Sequence, residues 1–339
     1  MKAAVYKRQN ELAVIEVPEP KAGPGEVVLK VHDCGICGSD LHAVQYGLGM
    51  PPDSVMGHEF CGEIVELGPQ VSGYAIGERV TSLPYIGCNT CEQCLAGHRM
   101  HCENIRGLGL GQLPGAYAEY VMCGAQSLFK LPANVSSQLG ALVEPLSVGL
   151  HGVNRSGLGP GASCVVMGAG PIGLSTLLWC KAKGATTVIV SELAPGRIEL
   201  AHRLGATEVI NPSAKDPAGR MREITGRGPD LVFECIGVKS TLESAIQMVS
   251  TLGRVVVLGV CMEPDQITPV RCIFKEVSLN FVLGYNDVEF QETIDALAAG
   301  KIDPRPMVTD VINVDQVPAM FQALRKPASR AKVIVEFPH

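Results

Sequence analysis

The sequence predicts an α/β chain of two domains, with a doubly wound parallel sheet inserted into a β-rich domain. Three observations carry this expectation. The 339 residues exceed what one hydrophobic core usually organises. About the first 145 residues read as short β-branched runs closed by glycine, such as "EVVLKVHDCG", "GEIVELG" and "GERVTSL". From Cys164 onward the pattern becomes strand, glycine turn and helix, repeated.

The repeats follow in order. "SCVVMG" leads into the helix-like "PIGLSTLLWCKAKG", "TTVIVS" into "APGRIELAHRLG", "EVINP" into "KDPAGRMREITG", and "DLVFECIG" into "TLESAIQMVSTLG". "GRVVVLG" and "VSLNFVLGY" supply two further strands. Short connections of this kind are what a parallel sheet covered by helices requires. Two helix-like runs, "VEFQETIDALAAG" and "VPAMFQALR", and a last strand "KVIVEF" return the chain to mixed structure, so the first domain is expected to be split.

Composition narrows the function classes. Hydrophobic residues make up 46% and charged residues 18%, which is a folding composition. The net charge of −6 offers no electrostatic footprint for nucleic acid or an anionic membrane. No run of apolar residues is long enough for a transmembrane helix. The start, "MKAAVYKRQNELAVIEVPEP", alternates like a strand and lacks the apolar core of a signal peptide, so a cytoplasmic location is expected. Thirteen cysteines in such a chain point to metal binding or burial rather than disulfides.

"VVMGAGPIG" places Gly168, Gly170 and Gly173 in a G-x-G-x-x-G pattern after an apolar strand, with Pro171 and Ile172 opening the helix. The glycines suit a tight turn, the approach of a pyrophosphate to the backbone, and close helix–strand packing. Nineteen residues beyond Gly173, at the end of the next strand, stands Glu192. A carboxylate there accepts hydrogen bonds from ribose hydroxyls and repels a 2′-phosphate, so NAD is expected over NADP. Arg197 follows closely, able to stack on adenine or tolerate a phosphate.

"CNTCEQCLAGHRMHC" spaces Cys88, Cys91, Cys94 and Cys102 as C-x2-C-x2-C-x7-C. Four thiolates at these separations close a tetrahedron around Zn²⁺ and leave no open position, which makes a structural zinc. A ferredoxin-type run has three residues before its fourth cysteine and a proline after it; here the gap is seven and Glu103 follows.

The other candidate ligands are Cys37, His42, His58, Glu59 and, further along, Glu144. A thiolate, an imidazole and a carboxylate suit Zn²⁺. Spacing alone leaves open that these are a structural histidine and a buried thiol.

Taken together, "CGICGSDLH", "GHEFCGEIVELG", the Cys88-to-Cys102 lobe, "LVEPLSVGLHG" and "VVMGAGPIG" resemble, in this order and over essentially the whole chain, the zinc-dependent medium-chain alcohol dehydrogenases. The similarity is greatest to the sorbitol, threonine and butanediol dehydrogenase branch. The resemblance implies a GroES-like β-rich catalytic domain over 1–146 and 286–339, with a structural-zinc lobe at 85–105. A Rossmann NAD-binding domain would cover 147–285. It implies two zinc ions per subunit, the catalytic one held by Cys37, His58 and a glutamate, with Glu59 and Glu144 both candidates. Asp40 would orient His58, Ser39 would receive the proton of the substrate hydroxyl, and His42 would pass it toward solvent. The implied reaction moves a hydride between a secondary alcohol and NAD, giving the ketone. A homodimer or homotetramer is the implied assembly, with "VSLNFVLGY" near an intersubunit edge, and the implied partner is a small alcohol or ketone.

Two departures bear on the substrate. Polyol-oxidising relatives usually carry an aromatic pair after the histidine of C-G-S-D-x-H, where this chain has Ala43 and Val44. They tend to have F-R-Y where this chain reads Leu283, Gly284, Tyr285. These changes favour diols, cyclic alcohols and other less polar secondary alcohols over sugar alcohols, and no pair of groups for the carboxylate and ammonium of threonine stands out. A zinc-independent double-bond reductase of similar fold would lack the ligand set, which this chain retains. The same retention argues against a non-enzymatic cofactor-binding protein.

Overall fold

The computed structural model describes residues 1–325 and 329–338. Six parallel strands form one sheet, in the spatial order Glu208–Ile210, Thr187–Ser191, Ser163–Met167, Leu231–Glu234, Arg254–Val257 and Ser278–Phe281. The chain enters at the centre with Ser163–Met167, runs outward to one edge, and crosses back to Leu231–Glu234. The order reverses between those two strands, which is where ligands bind in open α/β sheets. Alternate residues face opposite layers. Val165, Ile189, Val232 and Val255 pack into one apolar cluster, while Cys164, Val166, Val188, Phe233 and Val256 pack into the other.

Beside a three-stranded and a two-stranded sheet, the main sheet of the β-rich unit has seven strands. Glu26–Gly35 lies at its centre, flanked by Glu59–Leu67, Tyr120–Gly124 and Lys332–Glu336. The last strand belongs to the C-terminal segment, which returns to this sheet after the parallel one is complete. Its antiparallel register sets Ile334 opposite Gly35, and Gly35 is opposite Glu59 on the other side. Residues far apart in sequence thus meet at one end of the sheet.

The strand-like reading of the N-terminal region missed a long helix. Ser137–Ser156 is a 20-residue α-helix that begins where Ser136 accepts a hydrogen bond from the Leu139 N–H and ends at Gly157 in the left-handed region. It runs through the expected division between residues 146 and 147. Its buried Leu142, Leu146, Leu150 and Val153 recur at helical spacing. Pro145 and several glycines masked this pattern in the sequence. The helix packs on both units, against the strand Glu59–Leu67 and the helix Pro171–Ala182. Trp179, fully buried, donates its indole N–H to the Leu146 carbonyl at 2.8 Å and ties the two helices together. Gly38–Tyr46 and Pro269–Lys275 are further helices that the sequence pattern did not announce. Among the described residues no helix is long and apolar enough to cross a membrane.

Candidate active site

The helix Gly38–Tyr46 starts directly after the central strand of the β-rich sheet, with Cys37 as its N-terminal cap residue. Its first turn carries Ser39 and Asp40. The Cys37 N–H donates to Asp40 Oδ2 at 3.0 Å, a reciprocal cap that holds the aspartate inward. Asp40 is fully buried and receives a second hydrogen bond, from the Tyr117 hydroxyl, at 2.7 Å. Its other oxygen lies 3.1 Å from His58 Nδ1. The imidazole therefore turns Nε2 away from Asp40, and Ser39 Oγ lies 3.3 Å from that nitrogen. Burial alone would make His58 harder to protonate, but the buried Asp40 carboxylate and the Cys37 thiol outweigh it and raise its pKa.

Cys37, His58 and Glu59 bring one ligand atom each to within 4.8 Å of one another. Thiolate, imidazole and carboxylate at this separation form a donor set that fits Zn²⁺. Gly35 makes room for the third member: a Cβ there would stand 2.1 Å from Glu59 Oε2. Glu144 lies outside this close group. Its carboxylate accepts a hydrogen bond from the Tyr285 hydroxyl at 3.0 Å. Burial, with the Glu59 charge next in weight, pushes it up to about 7.

Two residues of this site were not foreseen. Lys332 has no exposed surface and donates to Glu59 Oε1 at 2.7 Å, Glu59 Oε2 at 2.6 Å and the Ile36 carbonyl at 3.0 Å. Its signal in the sequence was a lone lysine opening the apolar run "KVIVEF". Tyr117, also buried, was missed as the second partner of Asp40.

His42 sits one turn beyond Ser39 on the same helix, with its ring edge-on to Tyr46 at a centroid distance of 6.1 Å. Partial burial lowers its pKa. No hydrogen bond joins Ser39 to His42 among the described residues. Ala43 and Val44, expected near the substrate, are buried in the apolar cluster behind the helix, so Tyr46 is the aromatic side chain beside His42.

The glycine loop joins the strand Ser163–Met167 to the helix Pro171–Ala182. A Cβ on Gly173 would lie 1.9 Å from the Gly168 carbonyl oxygen, so only glycine permits this helix–turn approach. Gly170 caps the helix, with Pro171 as the first helical residue followed by Ile172, and no side chain caps its N–H groups. Such an end suits a phosphate. Glu192 faces the loop. Its Oε2 accepts from the Ala169 N–H at 2.8 Å, and its Oε1 from the N–H groups of Leu193 at 2.7 Å and Ala194 at 2.9 Å. The carboxylate thus braces the loop as well as standing at the strand end. Arg197 Nε donates to the Arg330 carbonyl at 2.8 Å.

Cys88, Cys91, Cys94 and Cys102 form a second group of converging ligand atoms. Backbone N–H groups point at the sulfurs, with Cys91 to Cys88 Sγ and both Cys88 and Asn104 to Cys102 Sγ at 3.3 Å. These donors suit thiolates, and a tetrahedral four-sulfur set fits Zn²⁺. None of the thirteen cysteines is in a disulfide.

Two family models match the chain: an alcohol dehydrogenase GroES-like domain over residues 23–133 and a zinc-binding dehydrogenase domain over residues 171–299. The chain is 36% identical to (R,R)-butanediol dehydrogenase of Bacillus subtilis (strain 168), over 99% of each. It is 34% identical to sorbitol dehydrogenase of the same organism, over 99% of this chain and 97% of the relative. Among solved structures, a zinc-binding dehydrogenase from Sinorhizobium meliloti 1021 bound to NADP superimposes with a TM-score of 0.91. It is 35% identical, with 99% of each chain covered.

Proposed function

The chain belongs to the zinc-dependent medium-chain alcohol dehydrogenase family, and we propose that it oxidises a vicinal diol, cyclic alcohol or other less polar secondary alcohol to the ketone with NAD. The observation that carries this reading is the group Cys37, His58 and Glu59, with the Ser39 hydroxyl 3.3 Å from the ligating edge of His58. A zinc ion bound there supplies Lewis acidity toward an alcohol oxygen. Cys37 and His58 hold it with a carboxylate, Glu59 or Glu144. Asp40 keeps His58 in the tautomer that presents Nε2. Ser39 takes the hydroxyl proton, and His42, whose pKa partial burial lowers, is the next acceptor toward solvent. A second, structural zinc belongs to the four-cysteine lobe.

Glu192 at the strand end supports NAD as the preferred nucleotide, with Gly168, Gly170 and Gly173 and the helix end at Pro171 and Ile172 holding the pyrophosphate and Arg197 at the adenosine side. The less polar substrate is supported by Gly284 standing where polyol-oxidising relatives carry arginine. Assembly as a homodimer or homotetramer is part of the same reading. The edge strand Ser278–Phe281 and the helix Pro269–Lys275 leave Phe274, Ile273 and Phe281 exposed by 82%, 70% and 66%, a patch that a second copy would cover. Free thiols throughout fit a reducing compartment, the cytoplasm.

The test is NADH formation by the purified chain over a panel of diols, cyclic and aryl secondary alcohols, sugar alcohols and threonine, before and after chelation. Turnover that is lost on chelation and returns with Zn²⁺ is expected, with a diol or less polar alcohol best. Turnover indifferent to the metal, or confined to sugar alcohols, overturns the reading.

A further inference from the structure

The buried lysine beside the candidate metal group calls for an explanation. A lysine with no exposed surface is costly unless its charge is matched and its protons are bonded. Lys332 meets both conditions. Two of its protons go to the two oxygens of Glu59 and the third to the Ile36 carbonyl, next to Cys37 in the chain. All of its donor capacity is spent on the thiolate's backbone neighbour and on the carboxylate.

The strand register makes this possible. Gly35 pairs with Glu59 on one side and with Ile334 on the other, and the Ile36 N–H continues the second ladder by donating to the Val333 carbonyl at 2.9 Å. Lys332, at the start of the last strand, therefore arises where its ammonium reaches both the Ile36 carbonyl and Glu59. Both oxygens of Glu59 are engaged at charge-assisted distances. A cation at Cys37 and His58 gains Glu59 only by sharing an oxygen that the lysine already holds.

We propose that Lys332 is a positioning residue that competes with the catalytic metal for Glu59, holding the carboxylate back as a reserve so that one coordination position stays exchangeable for the alcohol. Cys37, His58 and Glu144 are then the protein ligands of the resting site. The inference rests on the zinc reading above. It differs from that reading in assigning the division of labour between the two glutamates to a residue of the last strand.

The experiment uses the full-length protein with cobalt(II) exchanged into the Cys37 site, and in parallel the release of Zn²⁺ to a chromogenic chelator. In Lys332→Met the freed Glu59 becomes a full ligand. The d–d bands lose intensity as coordination rises, and metal release slows by about tenfold or more, the scale on which outer partners tune metal sites. Lys332→Arg returns both toward the wild type. Glu59→Gln, which keeps the shape and an acceptor for Lys332, leaves the spectrum and the release rate as in the wild type, and this holds whether or not Lys332→Met folds. Release from Lys332→Met as fast as from the wild type, or a changed spectrum in Glu59→Gln, overturns the proposal while leaving the zinc reading intact. A wild-type chain that binds a single cation, retained by the cysteine lobe alone, overturns both.

Discussion

Asp40 and His58 face each other across 3.1 Å in a buried pocket, and the aspartate is held from two other sides, by the Tyr117 hydroxyl and the Cys37 N–H. The carboxylate cannot swing away without breaking both. The His58 ring is therefore fixed before any metal arrives. Asp40→Asn keeps the shape and an acceptor but places an amide against His58 Nδ1, which disfavours the tautomer with Nε2 free. The expected result is a loss of about 10- to 100-fold in metal affinity at this site with the cysteine lobe unaffected, read by competition with a metal-binding dye.

The Ser39 hydroxyl lies 3.3 Å from His58 Nε2. Ser39→Ala removes a proton acceptor and no packing of consequence. Turnover should fall by about 100-fold, within the range of general acid–base contributions, with little change in KM or melting temperature. Steady-state rates with the best alcohol of the panel decide this, and full turnover in the variant rules out the relay.

Glu192 braces the Ala169, Leu193 and Ala194 N–H groups, and in the proposed reading it also accepts from the adenosine ribose. Glu192→Ala should lower kcat/KM for NAD and raise that for NADP, shifting their ratio by about tenfold or more, since one charge contact of roughly 1.4 kcal/mol is worth that factor. Three orphaned donors should also lower the melting temperature. Titration with both nucleotides separates the two effects.

The cysteine lobe closes on four sulfurs drawn from short helical turns with little apolar core of their own, and Leu95 in it is 75% exposed. Cys94→Ser should release one equivalent of metal and make the lobe the first segment cut in limited proteolysis, because metal binding there substitutes for a core. Metal analysis beside the digestion pattern checks both.

Glu289 joins the helix Asp287–Ala298 to Ser137–Ser156 through His151 and Asn154. Burial pushes its pKa up, but hydrogen bonds from His151, Asn154 and the Asn286 N–H outweigh that and hold the carboxyl below its usual range. A depressed folded pKa gives stability that is present above the unfolded value, about 4.3, and is lost as pH falls through the folded one. Glu289→Gln should flatten the acid limb of the stability curve below about pH 4.5 and leave its slope near neutrality unchanged. Urea midpoints measured from pH 3 to pH 7 test this.

The parallel unit was legible because strand, glycine turn and helix recur there at regular spacing, and each buried strand is a short apolar run. The cysteine lobe was legible because its ligands are local. Helix Ser137–Ser156 was not, because Pro145 and its glycines depress helix propensity while tertiary burial on two sides stabilises it. Ala43 and Val44 were misjudged as substrate neighbours. Position after a motif says nothing about which face of a helix meets the core, and here that face is buried.

By itself, the sequence determined the two-unit α/β plan, the glycine turn with its acidic partner, and the families of donor atoms at Cys37, His58 and the four-cysteine lobe. All of these are encoded in short, contiguous stretches of the sequence or in a repeating period. Only the tertiary structure decided that Lys332 meets Glu59, that Tyr117 backs Asp40, and that the Tyr285 hydroxyl donates to Glu144. Those contacts join residues 77 to 273 positions apart or bring two separate segments to one sheet end. Register between distant strands sets them, and a local pattern carries no record of it.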